Sequence, residues 1–142
     1  MENGADVTLN QLNIFKQFMF LSYSDTCDAY IALDRHEGDS KYSVALGYLA
    51  MSQQSQMELI KLQLSIKIDH QEIEKYMTAY ADYTIQLKYV ITYKDNNTST
   101  LNMTHSSLIK AGNLLMHSFK NGRIFWHRVF STHRVLFSFS FL

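Results

Sequence analysis

The feature that most constrains this chain is an omission: among 142 residues there is no proline, and glycine occurs only five times. Proline inside a helix costs about 3 kcal/mol and glycine about 1 kcal/mol relative to alanine, so long stretches here lack the residues that end helices most effectively. Apolar residues make up 46% of the chain and charged ones 18%, a balance that supports a buried core; disorder needs the reverse. The length suits one domain, or one domain with a tail.

Periodicity then places the helices. Thr8-Leu9-Asn10-Gln11 reads as a capping box, in which threonine accepts an orphan amide and glutamine reaches back to the cap. The helix that follows carries Leu12, Phe15, Met19, Cys27, Tyr30 and Leu33 on one stripe, and Gly38 supplies a left-handed residue to end it. If this helix divides, Ser22-Tyr23-Ser24-Asp25 is where it does so. Asp39 or Ser40 caps a second segment, whose stripe is Leu46, Leu49, Ala50, Met57, Ile60 and Leu64. The polar run Ser52–Gln56 interrupts that segment, and it either fixes register against a partner helix or faces solvent. A third start at Asp69-His70-Gln71-Glu72 opens a run in which Ile73, Met77, Tyr80, Thr84, Leu87 and Ile91 keep heptad spacing. The polar stretch Lys94–Thr100 stops it. Ser106 or Ser107 then caps a shorter helix with Leu108, Ile109, Leu115, Met116 and Phe119 on its apolar side, ending near Asn121-Gly122.

Two stretches also fit strands. Residues 61–68 alternate apolar and polar side chains, and residues 84–93 are rich in β-branched and aromatic ones. Each nevertheless continues a helical stripe without an intervening turn residue. The expected fold is therefore all-α: an elongated antiparallel bundle of three long helices and one shorter one over residues 1–121. A basic aromatic tail, irregular or forming a short strand, follows over residues 122–142.

The neutral total charge hides a division. Residues 1–104 carry thirteen acids and eight Lys/Arg, whereas residues 105–142 carry five Lys/Arg and no acid. All nine tyrosines precede Asn96, and the only tryptophan, Trp126, stands in the tail. Arg123, Phe125, Trp126, Arg128 and Arg134 combine cations for lipid phosphates with rings for the interfacial zone, which makes an anionic membrane one candidate partner. The tail cannot span a bilayer, because His127, Arg128, His133 and Arg134 interrupt its apolar run. Packing of these rings on the bundle is the competing reading, and the abrupt change of composition also fits a substituted or cut end of a longer helical domain. Nucleic acid is a poor fit: no helix presents a row of Lys or Arg on one face.

Chemistry is sparse. The six histidines form no i, i+4 pair and keep no company with Cys27, so no metal site is expected. Cys27 lies between Asp25 and Asp28, which disfavour a thiolate, and it reads as a structural thiol. Asp95–Ser106 lacks the glycine and terminal glutamate of a calcium loop. No phosphate loop or nucleophile elbow appears, so neither a cofactor nor an enzymatic activity is expected. A single cysteine and an acidic start without a leader suit a cytoplasmic location, with membrane association as the alternative. The expected role is a helical interaction or adaptor domain. It would present Ile73, Met77, Tyr80 and Leu87 to another protein or to a second copy of itself; in a closed bundle the same four residues form the core instead. The peripheral membrane reading through the tail is the alternative role.

Overall fold

A computed structural model describes residues 8–120, which form four helices and no strand: α1 (Leu9–Arg35), α2 (Ser40–Ile66), α3 (Gln71–Tyr93) and α4 (Ser99–Lys120). Residues 121–142, with the expected boundary after residue 121 and the whole tail, lie outside the described residues. Successive helices run antiparallel. Ser22 of α1 meets Ser52 of α2, Ser52 meets Tyr80 of α3, and Tyr83 of α3 packs near His105 of α4. The bundle closes where Phe15 of α1 lies 5.8 Å from Phe119 of α4 and Tyr30 of α1 stacks on His105. With α1 and α2 each of 27 residues, the bundle is about 40 Å long at about 1.5 Å per residue.

Each helix start has a local cause. The Thr8 hydroxyl accepts from the Gln11 amide and the Gln11 side chain accepts from the Thr8 amide, both at 3.0 Å, which completes the capping box. Asp39 makes no cap bond at the start of α2; its carboxylate instead pairs with Lys94 at 3.0 Å, tying the end of α3 to the start of α2. At α3 the cap is His70 and not Asp69, since His70 Nδ1 accepts from the Glu72 amide. α1 runs unbroken through Ser22–Asp25, because the Ser22 and Thr26 hydroxyls donate to carbonyls three residues back, inside the helix.

α4 begins seven residues before Ser106. The run that reads as loop is a capping sequence: Asp95 Oδ1 accepts from the Asn97 amide, and Asn97 Oδ1 accepts from the Ser99 amide and hydroxyl. α4 is thereby about as long as α3. The two stretches that fit strands are helical, residues 61–66 within α2 and residues 84–93 within α3. α2 and α3 end on left-handed lysines, Lys67 at φ 55° and Lys94 at φ 50°, where glycine is the usual terminator.

Two helical glycines mark opposite situations. A Cβ on Gly112 in α4 would stand 2.6 Å from Cε1 of Tyr23, so this glycine is what lets the Tyr23 ring lie against α4. Gly47 in α2 has nothing within 4 Å of its missing Cβ. Thermal and urea unfolding will therefore show opposite signs. Gly47→Ala stabilises by roughly 0.5–1 kcal/mol through helix propensity, whereas Gly112→Ala loses about 1–2 kcal/mol to overpacking.

Candidate functional site

The core has two parts. One is apolar, built from Leu12, Phe15, Met19, Leu49, Leu59, Ile73, Leu87, Leu101, Leu108, Leu115 and Phe119. The other is a seam of small and polar residues where α1 and α2 approach: Ser22, Thr26, Ala29 and Ala32 on α1 against Ala45 and Ser52 on α2, all buried. Small side chains bring two backbones close, and they leave hydroxyls and carbonyls that must find partners inside the protein.

α3 supplies those partners. Tyr76, Tyr80 and Tyr83 recur at four- and three-residue spacing and so project from one face of the helix. Ser22 donates to the Met19 carbonyl at 3.0 Å, so its oxygen accepts from Tyr76 at 2.8 Å. Ser52 donates to the Ser22 carbonyl at 2.7 Å and accepts from Tyr80 at 2.7 Å. Tyr83 donates to the Thr26 carbonyl at 3.1 Å. Burial pushes all three phenols above their ordinary value, Tyr80 to about 12, so they remain neutral donors. This is a structural network. Its hydroxyls are engaged within the chain, and Cys27 beside it is a half-buried thiol pushed upward by burial, away from nucleophilic chemistry.

Among the residues expected at an interface, Ile73, Tyr80 and Leu87 are buried in the bundle and Met77 lies half-buried beside Gln56, whose Nε2 stands 3.0 Å from the Met77 sulfur. Ile73, Tyr80 and Leu87 thus follow the closed-bundle alternative, in which they form the core, and only Met77 keeps part of its surface. Arg123, Phe125, Trp126, Arg128 and Arg134, the expected lipid contacts, lie outside the described residues.

The outward surface belongs to α2. Of the six residues expected to form its buried stripe, only Leu49 is buried. Leu46, Met57, Ile60 and Leu64 are 51%, 59%, 43% and 72% exposed, and Ala50 is exposed with them. They still share one face, at the spacing Leu46, Ala50, Gln53, Met57, Ile60, Leu64, but it is turned away from the core. The core-facing positions are Ala45, Leu49, Ser52, Gln56 and Leu59. The polar run that seemed to interrupt the stripe splits between the two faces. Ser52 and Gln56 are buried against α1 and α3, while Gln54 is exposed. α2 is also poor in charge, with only Lys41, Glu58 and Lys61 among its 27 residues.

Other surfaces have a different character. Between α3 and α4 runs an open groove of about 550 Å³, with Glu74, Lys75, Asp82 and Lys110 along it. Its walls carry charges of both signs, as solvated helix faces do. Among the described residues no three of His, Cys, Asp and Glu gather closely enough to hold a metal ion. No helix among them is long and apolar enough to cross a membrane. No protein-family model, curated protein or solved structure matches the chain.

Two predictions test the interior. Ser52→Ala removes the acceptor of Tyr80 and the donor to the Ser22 carbonyl, and it will cost about 1–3 kcal/mol in urea unfolding with the helix content of the folded state unchanged. His105 is buried, its ring 3.7 Å from Tyr30 and nearly parallel to it, with Nε2 lacking a hydrogen-bond partner. Burial lowers its pKa below the ordinary 6.5, so as pH falls the unfolded chain takes up this proton first. The contribution of His105 to stability is then fully present above about pH 6.5 and is lost as pH falls below it. His105→Phe keeps the stack and will flatten the acid side of a Tm-against-pH curve relative to the native chain.

Proposed function

We propose that this chain is a non-enzymatic helical interaction domain whose docking surface is the outer face of α2. The observation that carries the reading is the two-faced character of that helix. One face is sealed by α1 and α3, and the other exposes Leu46 and, beyond Ala50 and the half-buried Gln53, Met57, Ile60 and Leu64. Single exposed apolar residues are ordinary, but a row of four at helical spacing on a charge-poor helix is the composition of an interface centre. The heptad rhythm of the row, alternately four and three residues, matches the seam along which a second helix lies. Gly47 and Ala50 add small positions beside Leu46, where a partner backbone can approach.

The test places a photo-cross-linking phenylalanine analogue at Met57 and, as control, at Met103 on α4, which is 70% exposed. In cells, Met57 will give discrete adducts that disappear when Leu46→Glu and Leu64→Glu are added, whereas Met103 will not. Equal adducts from both positions, or adducts that survive the two glutamates, overturn the reading.

A further inference from the structure

We propose that His105 is a proton-operated latch: when it takes up a proton, the first half of α4 comes away from α1 while α1, α2 and α3 stay joined. The opening is local, and that separates it from a general loss of stability. Tyr30 makes the latch. Its ring lies 3.7 Å from the His105 ring and nearly parallel to it, and its hydroxyl donates to Asn102 Oδ1 at 2.6 Å. Asn102 and His105 stand three residues apart on α4, so one side chain of α1 holds two neighbouring positions of α4. Beside this contact lies a cleft of about 70 Å³ in the α1–α4 seam, lined by Tyr30, Leu33, Asp34, Thr98, Leu101 and Asn102, which gives water a way in.

The surroundings of the ring suit only its neutral form. From α1 it meets Tyr30, and from α3 it meets Tyr83 at 5.4 Å, with Cys27 of α1 near enough to Tyr83 to push that phenol further up. Its neighbours on α4, Leu101, Asn102, Leu108 and Ile109, carry no charge. An imidazolium has an N–H on both nitrogens, and here the buried Nε2 has no acceptor and the charge no carboxylate against it. The Tyr30 face attracts a cation, but burial opposes it and moves the pKa of the ring down. Once released, the ring is hydrated, and Asp34, an exposed carboxylate on the same cleft, offers it a counter-charge. The rest of the bundle has reasons to stay closed. The buried hydroxyl network that ties α1, α2 and α3 uses no residue of α4. The second half of α4 is held by Gly112 under the Tyr23 ring and by Phe119 against Phe15, contacts that acid does not titrate. A histidine buried at a contact between two elements is a recurring basis of acid-operated switches.

Amide hydrogen exchange of the full chain in low concentrations of urea tests this at about pH 7.5 and about pH 5.5, with rates corrected for intrinsic exchange at each pH. Urea tells the two routes of opening apart, because local release exposes little surface and unfolding exposes much. Residues 102–108 and 30–35 will exchange by a route nearly insensitive to urea, and that route will speed up severalfold at the lower pH. The ceiling is about tenfold, since the released ring titrates near its ordinary value of about 6.5. The middles of α2 and α3 will exchange only by the urea-sensitive route. In His105→Phe the local route will run at nearly the same rate at both pH values, and His105→Gln repeats this check with a smaller side chain. Tyr30→Phe keeps the ring but removes the bond to Asn102; it will speed local release at both pH values and leave the acid response in place. Far-UV circular dichroism will show each variant folded. If residues 102–108 exchange with the same urea dependence as α2 and α3, the proton acts on the bundle as a whole and the latch is overturned. A local route that ignores pH, or an acid response that persists in both His105 variants, overturns it as well.

Discussion

The approach of α1 to α2 through small residues is the constraint from which the rest of the bundle follows. Ser22, Thr26, Ala29, Ala32, Ala45 and Ser52 let the two helices close on each other, at the cost of stranding hydroxyls and carbonyls in the interior. A buried group left without a partner costs about 1–3 kcal/mol, so the hairpin needs donors from a third element. Tyr76, Tyr80 and Tyr83 bring them, and their rings fill the space that the small residues leave open. The register of α3 on the hairpin is fixed by these hydrogen bonds as well as by volume. α4 then closes the remaining side, with Gly112 admitting the Tyr23 ring, and Leu108, Leu115 and Phe119 completing the apolar half.

The same constraint explains which parts of the fold were legible in the sequence. Helix content was legible because nothing interrupts it, and the heptad of α3 was legible in part: Ile73, Tyr80, Thr84 and Leu87 are buried, Met77 and Ile91 are half-buried, and the buried Tyr76 and Tyr83 lie off that spacing. The start of α1 was legible because a capping box is a local chemical pattern, complete in four residues. In α1 beyond Met19, by contrast, the fully buried positions are Ser22, Thr26, Ala29 and Ala32, and in α2 Ala45, Ser52 and Gln56 share the core with Tyr42, Leu49, Leu59 and Ile66, so the hydrophobic signal of the core face is diluted. The large residues there drew the stripe to the wrong face. The start of α4 failed for a related reason, since a string of Asn, Ser and Thr reads equally as loop and as cap.

The candidate site was half visible. Leu46, Ala50, Met57, Ile60 and Leu64 were recognised as one stripe, but only three dimensions show that α2 has a second, buried face. A helix with apolar residues on two sides has less contrast around its circumference than one that is simply amphipathic, and periodicity alone cannot say which side its own chain will use. What decides is the hydroxyl network. Ser52 must point at Tyr80 and at the Ser22 carbonyl, and turning Ser52 inward turns Leu46 and Leu64 outward. The interior hydrogen bonds thus choose the exterior surface.

An interior tied by phenols also has an alkaline limit. Tyr76, Tyr80 and Tyr83 hold their protons in the folded chain well past the value of about 10 at which a solvated phenol ionises. Above that pH the unfolded chain sheds protons that the folded one retains, and stability drains away as pH rises. Unfolding by base should then be cooperative in absorbance, since these three rings become phenolate only when the bundle opens and release their protons together. The hydrogen bonds that set the register of the helices thereby also set how basic a solution the fold survives.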